Sequence, residues 1–108
     1  MAWLPQTDPG VRILKVSGPF TLNAVFEFQS IVRQPLPALT IVDLSDVPYM
    51  DSAALGSVWG MHISCQRKQR AYALVGASER VKELFRMTGL NAALVLADSV
   101  DSARTASA

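Results

Sequence analysis

Leu39-Thr-Ile-Val-Asp-Leu44, continuing through Ser45-Asp-Val-Pro-Tyr-Met50 into Asp51-Ser-Ala-Ala-Leu-Gly56, is the stretch on which the fold turns. Its first six residues form a short, nearly continuous apolar run, the pattern of a strand buried on both faces. The segment from Asp46 to Asp51 contains Pro48 and reads as a loop. A helix is predicted from about Ser52 to Lys68, with Asp51 or Ser52 at its N-cap. A two-faced strand that hands over directly to a helix implies a parallel sheet covered by helices.

Toward the C-terminus, Ala71-Tyr-Ala-Leu-Val75 reads as a second buried strand. Ser78 caps a helix with Val81, Leu84 and Phe85 inward, ended by Gly89 in the left-handed region with Leu90 as its hydrophobic contact. Ala93 to Leu96 reads as the final strand, and Asp98 as the cap of a short last helix. Toward the N-terminus, Pro35 and Pro37 stop a helix capped by Thr21, whose inner face carries Leu22, Val25, Phe28 or Gln29, and Val32. Val11, Ile13 and Val16 belong to a strand ending near Gly18. The Asp8-Pro9-Gly10 turn joins it to a short edge strand over Trp3 to Thr7, so the chain opens with a hairpin. The order β-β-α-β-α-β-α-β-α predicts one α/β domain over residues 1–108. Its mostly parallel sheet has about five strands, an N-terminal antiparallel hairpin and about four helices.

Composition narrows the function classes. The 108 residues are 50% hydrophobic and 18% charged, enough for one core of this size without staples. Ten basic residues against nine acidic give a net charge of +1, which argues against a nucleic-acid reader or a polybasic membrane binder. The longest apolar run, Ala92 to Ala97, is far below the roughly 20 residues that span a bilayer. The first residues lack a basic signal region, and one cysteine excludes a disulfide framework. These features point to a cytoplasmic protein without membrane insertion.

In parallel sheets sites collect at the carboxyl ends of strands, which directs attention to Asp43 through Ser52. Two readings of Asp51-Ser52 stand side by side. In one, the pair only satisfies orphan N–H groups at the start of the helix. In the other, Ser52 is a phosphoacceptor, and a phosphate there adds about −1.5 to −2 charges at pH 7. On a 100° wheel, Leu55, Val58, Trp59 and His62 form the inward stripe of this helix. Ala53, Ser57, Gly60 and Ser64 occupy the opposite face with Gly56 at its margin. Such a strip of small residues suits docking by another protein, or packing against the chain's own loops.

Val42-Asp-Leu-Ser-Asp-Val-Pro-Tyr-Met-Asp-Ser-Ala-Ala-Leu-Gly56 resembles the signature of the STAS domain, as found in bacterial anti-sigma factor antagonists. Val16-Ser-Gly18, Leu74-Val-Gly76 and the helix from Val81 to Leu90 extend the resemblance over nearly the whole chain. The resemblance implies a phosphorylation-controlled binding module without catalytic residues, metal or cofactor. Its partner would be an anti-sigma factor that is also a serine kinase. Phosphorylation of Ser52 would release the chain, and a metal-dependent serine phosphatase would reset it. The partner surface, read from the Asp51-Ser52 junction and the small-residue strip, comprises Pro48, Tyr49, Met50, Asp51, Ser52, Ala53, Gly56, Ser57 and Gly60. The sequence departs from the family at Ala53, where Ser or Thr is common, and at Ala54, where Gly is usual. The same fold also resembles constitutive subunits of ABC lipid-transport complexes and cores of stress-signalling scaffolds, the alternative reading.

Three other groupings invite chemistry. His62 and Cys65, three apart, can share a helical face as a thiol dyad, but His62 belongs to the apolar stripe and suits a packed, hydrogen-bonded role better. Asp43, Asp46 and Asp51 can supply oxygen ligands to Mg²⁺ or cap and solvate a loop. Arg67, Lys68 and Arg70 complement a helix C-terminus.

Overall fold

A computed structural model describes residues 1–4 and 8–106. Strand β1 is Ala2–Trp3, β2 is Val11–Ser17 and helix α1 is Leu22–Arg33, followed by β3, Leu39–Asp46, and α2, Ser52–Lys68. Then come β4, Ala71–Val75, and α3, Glu79–Met87, a 3₁₀ turn at Leu90–Ala92, β5, Leu96–Ala97, and α4, Val100–Ala106. The five strands lie in sequence order β1-β2-β3-β4-β5 in one sheet, with β1 antiparallel to β2 and every later pair parallel.

A sheet that grows one strand at a time by crossovers of one hand collects those crossover helices on one face. Val25, Phe28 and Val32 of α1, Leu55, Val58 and Met61 of α2, and Val81 and Phe85 of α3 share a cluster with Leu14, Val16, Val42, Leu44 and Leu74. The alternate residues Ile13, Leu39, Ile41, Ala73 and Val75 point the other way and meet Ala103 of α4. The period of two along each strand thus feeds two apolar layers, as the nearly continuous apolar run Leu39–Leu44 requires.

The hairpin, the parallel crossovers and the bounds of α2 and β4 match the sequence expectations. Several details differ. β1 is Ala2–Trp3, so it shares only Trp3 with the expected Trp3–Thr7 strand; residues 5–7 of that expectation lie outside the described residues. Leu22 is exposed, not on the inner face of α1. The expected strand over Ala93–Leu96 is replaced by a turn and a shorter strand. After Gly89 (φ 76°), the N–H groups of Ala93 and Leu94 both return to the Leu90 carbonyl at 3.0 and 2.8 Å. A short apolar run reads the same in either conformation, and here Leu94 reaches the core from a turn. Ser99, not Asp98, caps α4: Ser102 N–H donates to Ser99 Oγ and Ser99 N–H to Ser102 Oγ, at 3.2 and 3.1 Å, a reciprocal cap.

One close approach ties the sheet's carboxyl edge together. Gly76, just past β4, has φ 71°, and a Cβ there would lie 3.0 Å from Ser45 Cβ and 3.2 Å from Ser45 Cα and N. Gly76→Ala is expected to lower unfolding free energy by about 1–3 kcal/mol from backbone strain, with the Ser45 contact adding to it; the urea midpoint measures it.

Candidate functional site at the start of the second helix

The segment between β3 and α2 is built around one rung of parallel pairing. After β3, Val47 N–H returns to the Leu44 carbonyl at 3.0 Å and Val47 is buried. Phe20, two residues before α1, bridges Met50, two residues before α2. Phe20 N–H donates to the Tyr49 carbonyl at 3.0 Å and Asp51 N–H to the Phe20 carbonyl at 3.2 Å. Both helices therefore begin side by side. Met50 is 8% exposed and packs in the main core, so it anchors the loop from beneath and leaves the surface to Pro48 and Tyr49. A sequence reading that counted Met50 as surface missed this because an apolar loop residue carries no mark of the helix start beside it.

Asp51 is the N-cap of α2, and its Oδ1 accepts the Ala54 N–H at 2.8 Å. Its Oδ2 accepts the Leu22 N–H at 3.0 Å, so the same carboxylate caps α1. Thr21 occupies the α1 N-cap position, but its side chain makes no cap bond. The N–H groups of Ala54 and Leu22, in that order, hold the Asp51 carboxyl below its ordinary value. Ser52 follows as the first residue of α2 and is exposed.

From Ser52 to Ser64 the exposed residues of α2 are Ser52, Gly56, Trp59, Gly60 and Ile63, while Ala53 and Ser64 are half-buried; Gln66, Arg67 and Lys68 in its last turn are exposed as well. Ser57 and Trp59 exchange the roles expected of them. Ser57 is 6% exposed, and its hydroxyl donates to the Ala54 carbonyl at 2.6 Å. Trp59 is 36% exposed and lies over the His62 ring, centroids 4.9 Å apart. α1 packs along the Ser57 flank and rotates the exposed stripe toward Trp59. A helical wheel holds no information about which flank a neighbour takes. Between the two helices lies a groove of about 180 Å³ whose walls include Gln29, Arg33, Gly56, Gly60 and Ser64. A Cβ on Gly56 or Gly60 would meet nothing within 4 Å, so neither glycine serves an internal close contact. Ala54 is fully buried, whereas Ala53 stays at the edge of the surface.

Two basic residues join the site that the sequence reading passed over. Arg80, at the start of α3, stands over the Tyr49 ring at 5.0 Å from its centroid, a cation–π contact that spans 31 positions and leaves no local signal. Lys15 Nζ donates to Asp43 Oδ2 at 3.2 Å and Ser45 Oγ at 2.9 Å and pairs with Asp46 at 3.4 Å. Partial burial pushes the Asp43 carboxyl up, but the Ser45 N–H and hydroxyl together with Lys15 outweigh it and hold the group below its ordinary value. A lysine between Leu14 and Val16 near the end of a parallel strand was the available clue. The three aspartates thus serve different partners: Asp43 and Asp46 face Lys15, and Asp51 caps helices. Among the described residues, no group of His, Cys, Asp and Glu is arranged to hold a metal ion.

His62 and Cys65 are both buried. His62 Nδ1 lies 2.7 Å from Tyr72 Oη, which in turn accepts the Val95 N–H at 3.1 Å. Burial pushes the Cys65 thiol up, away from the thiolate that nucleophilic chemistry needs. His62 is a packed, hydrogen-bonded residue that links α2 to β4.

These features define a small α/β domain with a mixed five-stranded sheet and an exposed serine at the head of its second helix. The sequence model of the STAS domain family matches residues 2–103, and the chain belongs to that family. An anti-sigma-B factor antagonist of Staphylococcus aureus is 31% identical over 80 residues, 71% of this chain and 74% of that protein. Its counterpart in Listeria monocytogenes is 42% identical over 50 residues, 46% of this chain and 44% of that protein, so the match spans less than half of its length. Among solved structures, a Thermotoga maritima protein superposes with TM-score 0.85 at 21% identity, covering 96% of this chain and 91% of that one. A sulfate transporter family protein of Wolinella succinogenes reaches 0.81 at 22% identity, covering 95% and 88%. The Bacillus protein SpoIIAA in its phosphorylated form reaches 0.71 at 17% identity, covering 94% of each chain. These structural likenesses establish the fold. No helix of the described residues is long and apolar enough to cross a membrane.

The lowered Asp51 and Asp43 carboxyls make stability depend on acid. Such groups stabilise the fold fully above their ordinary value of 3.8. That contribution is lost as pH falls through their lower folded-state values. The urea midpoint is expected to fall as pH drops below about 4, and Asp51→Asn to flatten that slope while lowering the midpoint at neutral pH.

Proposed function

We propose that this chain is an anti-sigma factor antagonist. It binds an anti-sigma factor that is also a serine kinase, and phosphorylation of Ser52 releases it. The observation that carries the reading is the exposed Ser52 hydroxyl immediately after the locked Asp51 cap, at the edge of an open, small-residue helix face. The antagonist names of the sequence relatives support the same reading.

The chemistry asks little of this chain. Ser52 Oγ attacks the γ-phosphorus of a nucleoside triphosphate held by the partner. The Oγ–P bond forms, the bond to the β–γ bridging oxygen breaks, and nucleoside diphosphate leaves. The hydroxyl proton goes to a base of the partner. The chain supplies the acceptor and its presentation, with no catalytic group, metal or cofactor of its own. At the head of α2 the phosphate meets the positive end of the helix dipole, so the fold tolerates it. A partner surface that has buried this edge does not, because an unpaired buried charge costs about 2–5 kcal/mol. Hydrolysis by a metal-dependent serine phosphatase restores the hydroxyl and the binding surface. The chain acts in the cytoplasm, where the kinase, its nucleotide and the sigma factor are found.

With a lysate of the source cells and ATP labelled in its γ-phosphate, wild type is expected to take up label and Ser52→Ala to take up none. Equal labelling of both would move the acceptor elsewhere. Against the kinase recovered with that assay, Ser52→Asp is expected to bind about 30- to several-thousand-fold more weakly. Recovery of an ATPase subunit of a transport complex in place of a kinase would favour the constitutive-subunit reading. Gly60→Ala is expected to raise stability by about 0.5–1 kcal/mol, because its methyl enters open space on a helix. The same methyl should weaken kinase binding measured by calorimetry, and unchanged affinity would remove this face from the interface.

A further inference from the structure

The two oxygens of the Asp51 carboxylate serve different helices. Oδ1 accepts the Ala54 N–H inside α2, and Oδ2 accepts the Leu22 N–H at the first residue of α1, 29 positions upstream. The backbone of Asp51 is held too, since its N–H donates to the carbonyl of Phe20, a fully buried residue. The residue directly before Ser52 is therefore fixed at three atoms, two of them by the segment that starts α1. Thr21, in position to cap α1, leaves that task to Asp51. Local capping of α2 requires only the Ala54 bond; the Leu22 bond is an additional restraint.

We infer that Asp51 is the positioning residue for phosphoryl transfer to Ser52, and that the Leu22 N–H of α1 is the second half of the positioning device. This rests on the reading of Ser52 as the phosphoacceptor. With Oδ2 held by α1, the Asp51 side chain keeps one rotamer and the first turn of α2 cannot fray. The Ser52 hydroxyl then meets the partner's nucleotide in one orientation, without an ordering step at each encounter. Asp51 is not the base of this reaction. Both of its oxygens already accept backbone N–H groups, and those donors disfavour protonation of the carboxyl. The Ser52 proton leaves to the partner, and Asp51 acts only through the geometry of its neighbour.

Leu22 allows the α1 restraint to be removed alone. Proline deletes the N–H, yet it is favoured at the first position of a helix. Thr21 before it is extended (φ −131°, ψ −177°), as a residue preceding proline prefers. The side chain of Leu22 is exposed, so Leu22→Ala, which keeps the N–H, controls for its loss. Initial rates of label transfer to Ser52 are measured at saturating and limiting concentrations of the intact chain, with the kinase fraction of the source cells. Circular dichroism and thermal unfolding are followed in parallel.

Leu22→Pro is expected to melt close to Leu22→Ala but to show a saturated rate about tenfold lower, with KM within about twofold. Asp51→Asn, which keeps one acceptor oxygen, is expected to be slowed similarly and to keep the wild-type pH profile. Equal saturated rates for Leu22→Pro and Leu22→Ala overturn the inference and leave Ser52 as the acceptor. A rise in KM alone also overturns it, because it assigns the Leu22 region to docking. Loss of one limb of the pH profile in Asp51→Asn overturns it in favour of a base. Absence of label on Ser52 in wild type, with label elsewhere on the chain, overturns the phosphoacceptor reading itself.

Discussion

A carboxylate that accepts N–H groups from two helices at once, Asp51 to Ala54 and Leu22, is the constraint around which this end of the molecule is arranged. Helix starts leave N–H groups without partners, and two parallel crossovers bring two such starts to the same edge of the sheet. One side chain satisfies both because Phe20 and Met50 pair two residues before the helices and set them side by side. Met50 is drawn into the core by that pairing, Val47 closes the turn above β3, and Tyr49 is left outward under Arg80. The loop is thereby a fixed platform, and the hydroxyl that follows it has a defined address.

From that starting point α2 divides its surface between two tasks. Leu55, Val58, Met61 and Cys65 hold it on the sheet, and α1 takes the Ser57 flank. Ahead of its exposed last turn, what remains open is a narrow strip from Ser52 through Gly56 and Gly60, bordered by Trp59 and Ile63. Glycines in an exposed helix cost stability, and these two return no internal contact for it. The departures from the family signature also separate in space. Ala54 points into the core, where its methyl is accommodated without reaching any partner. Ala53 lies at the surface edge, one position after the exposed Ser52.

Elsewhere, residues with reactive side chains are held by neighbours that give them structural work. Lys15 gathers Asp43, Ser45 and Asp46 at the carboxyl ends of β2 and β3. His62 is joined to Tyr72, and through it to the Val95 N–H, beside a Cys65 whose burial opposes ionisation. In each case a polar group inside or beside the core has found a partner, as desolvation demands.

The sequence by itself determined the layered α/β order, because Leu39–Leu44 and Ala71–Val75 are apolar on both faces while the intervening segments carry helical periodicity. It also determined that a helix begins at Asp51-Ser52, since capping is a local matter of one side chain and the next few N–H groups. Only the tertiary structure decided that the same carboxylate caps α1 as well, from 29 residues away, in place of Thr21. It also decided that Met50 and Ser57 are inside and Trp59 is outside, and that Leu94 reaches the core from a turn. These outcomes depend on which element lies against which flank, a property of packed pairs. Periodicity along one chain segment constrains the angle between its own residues and says nothing of what its neighbours cover.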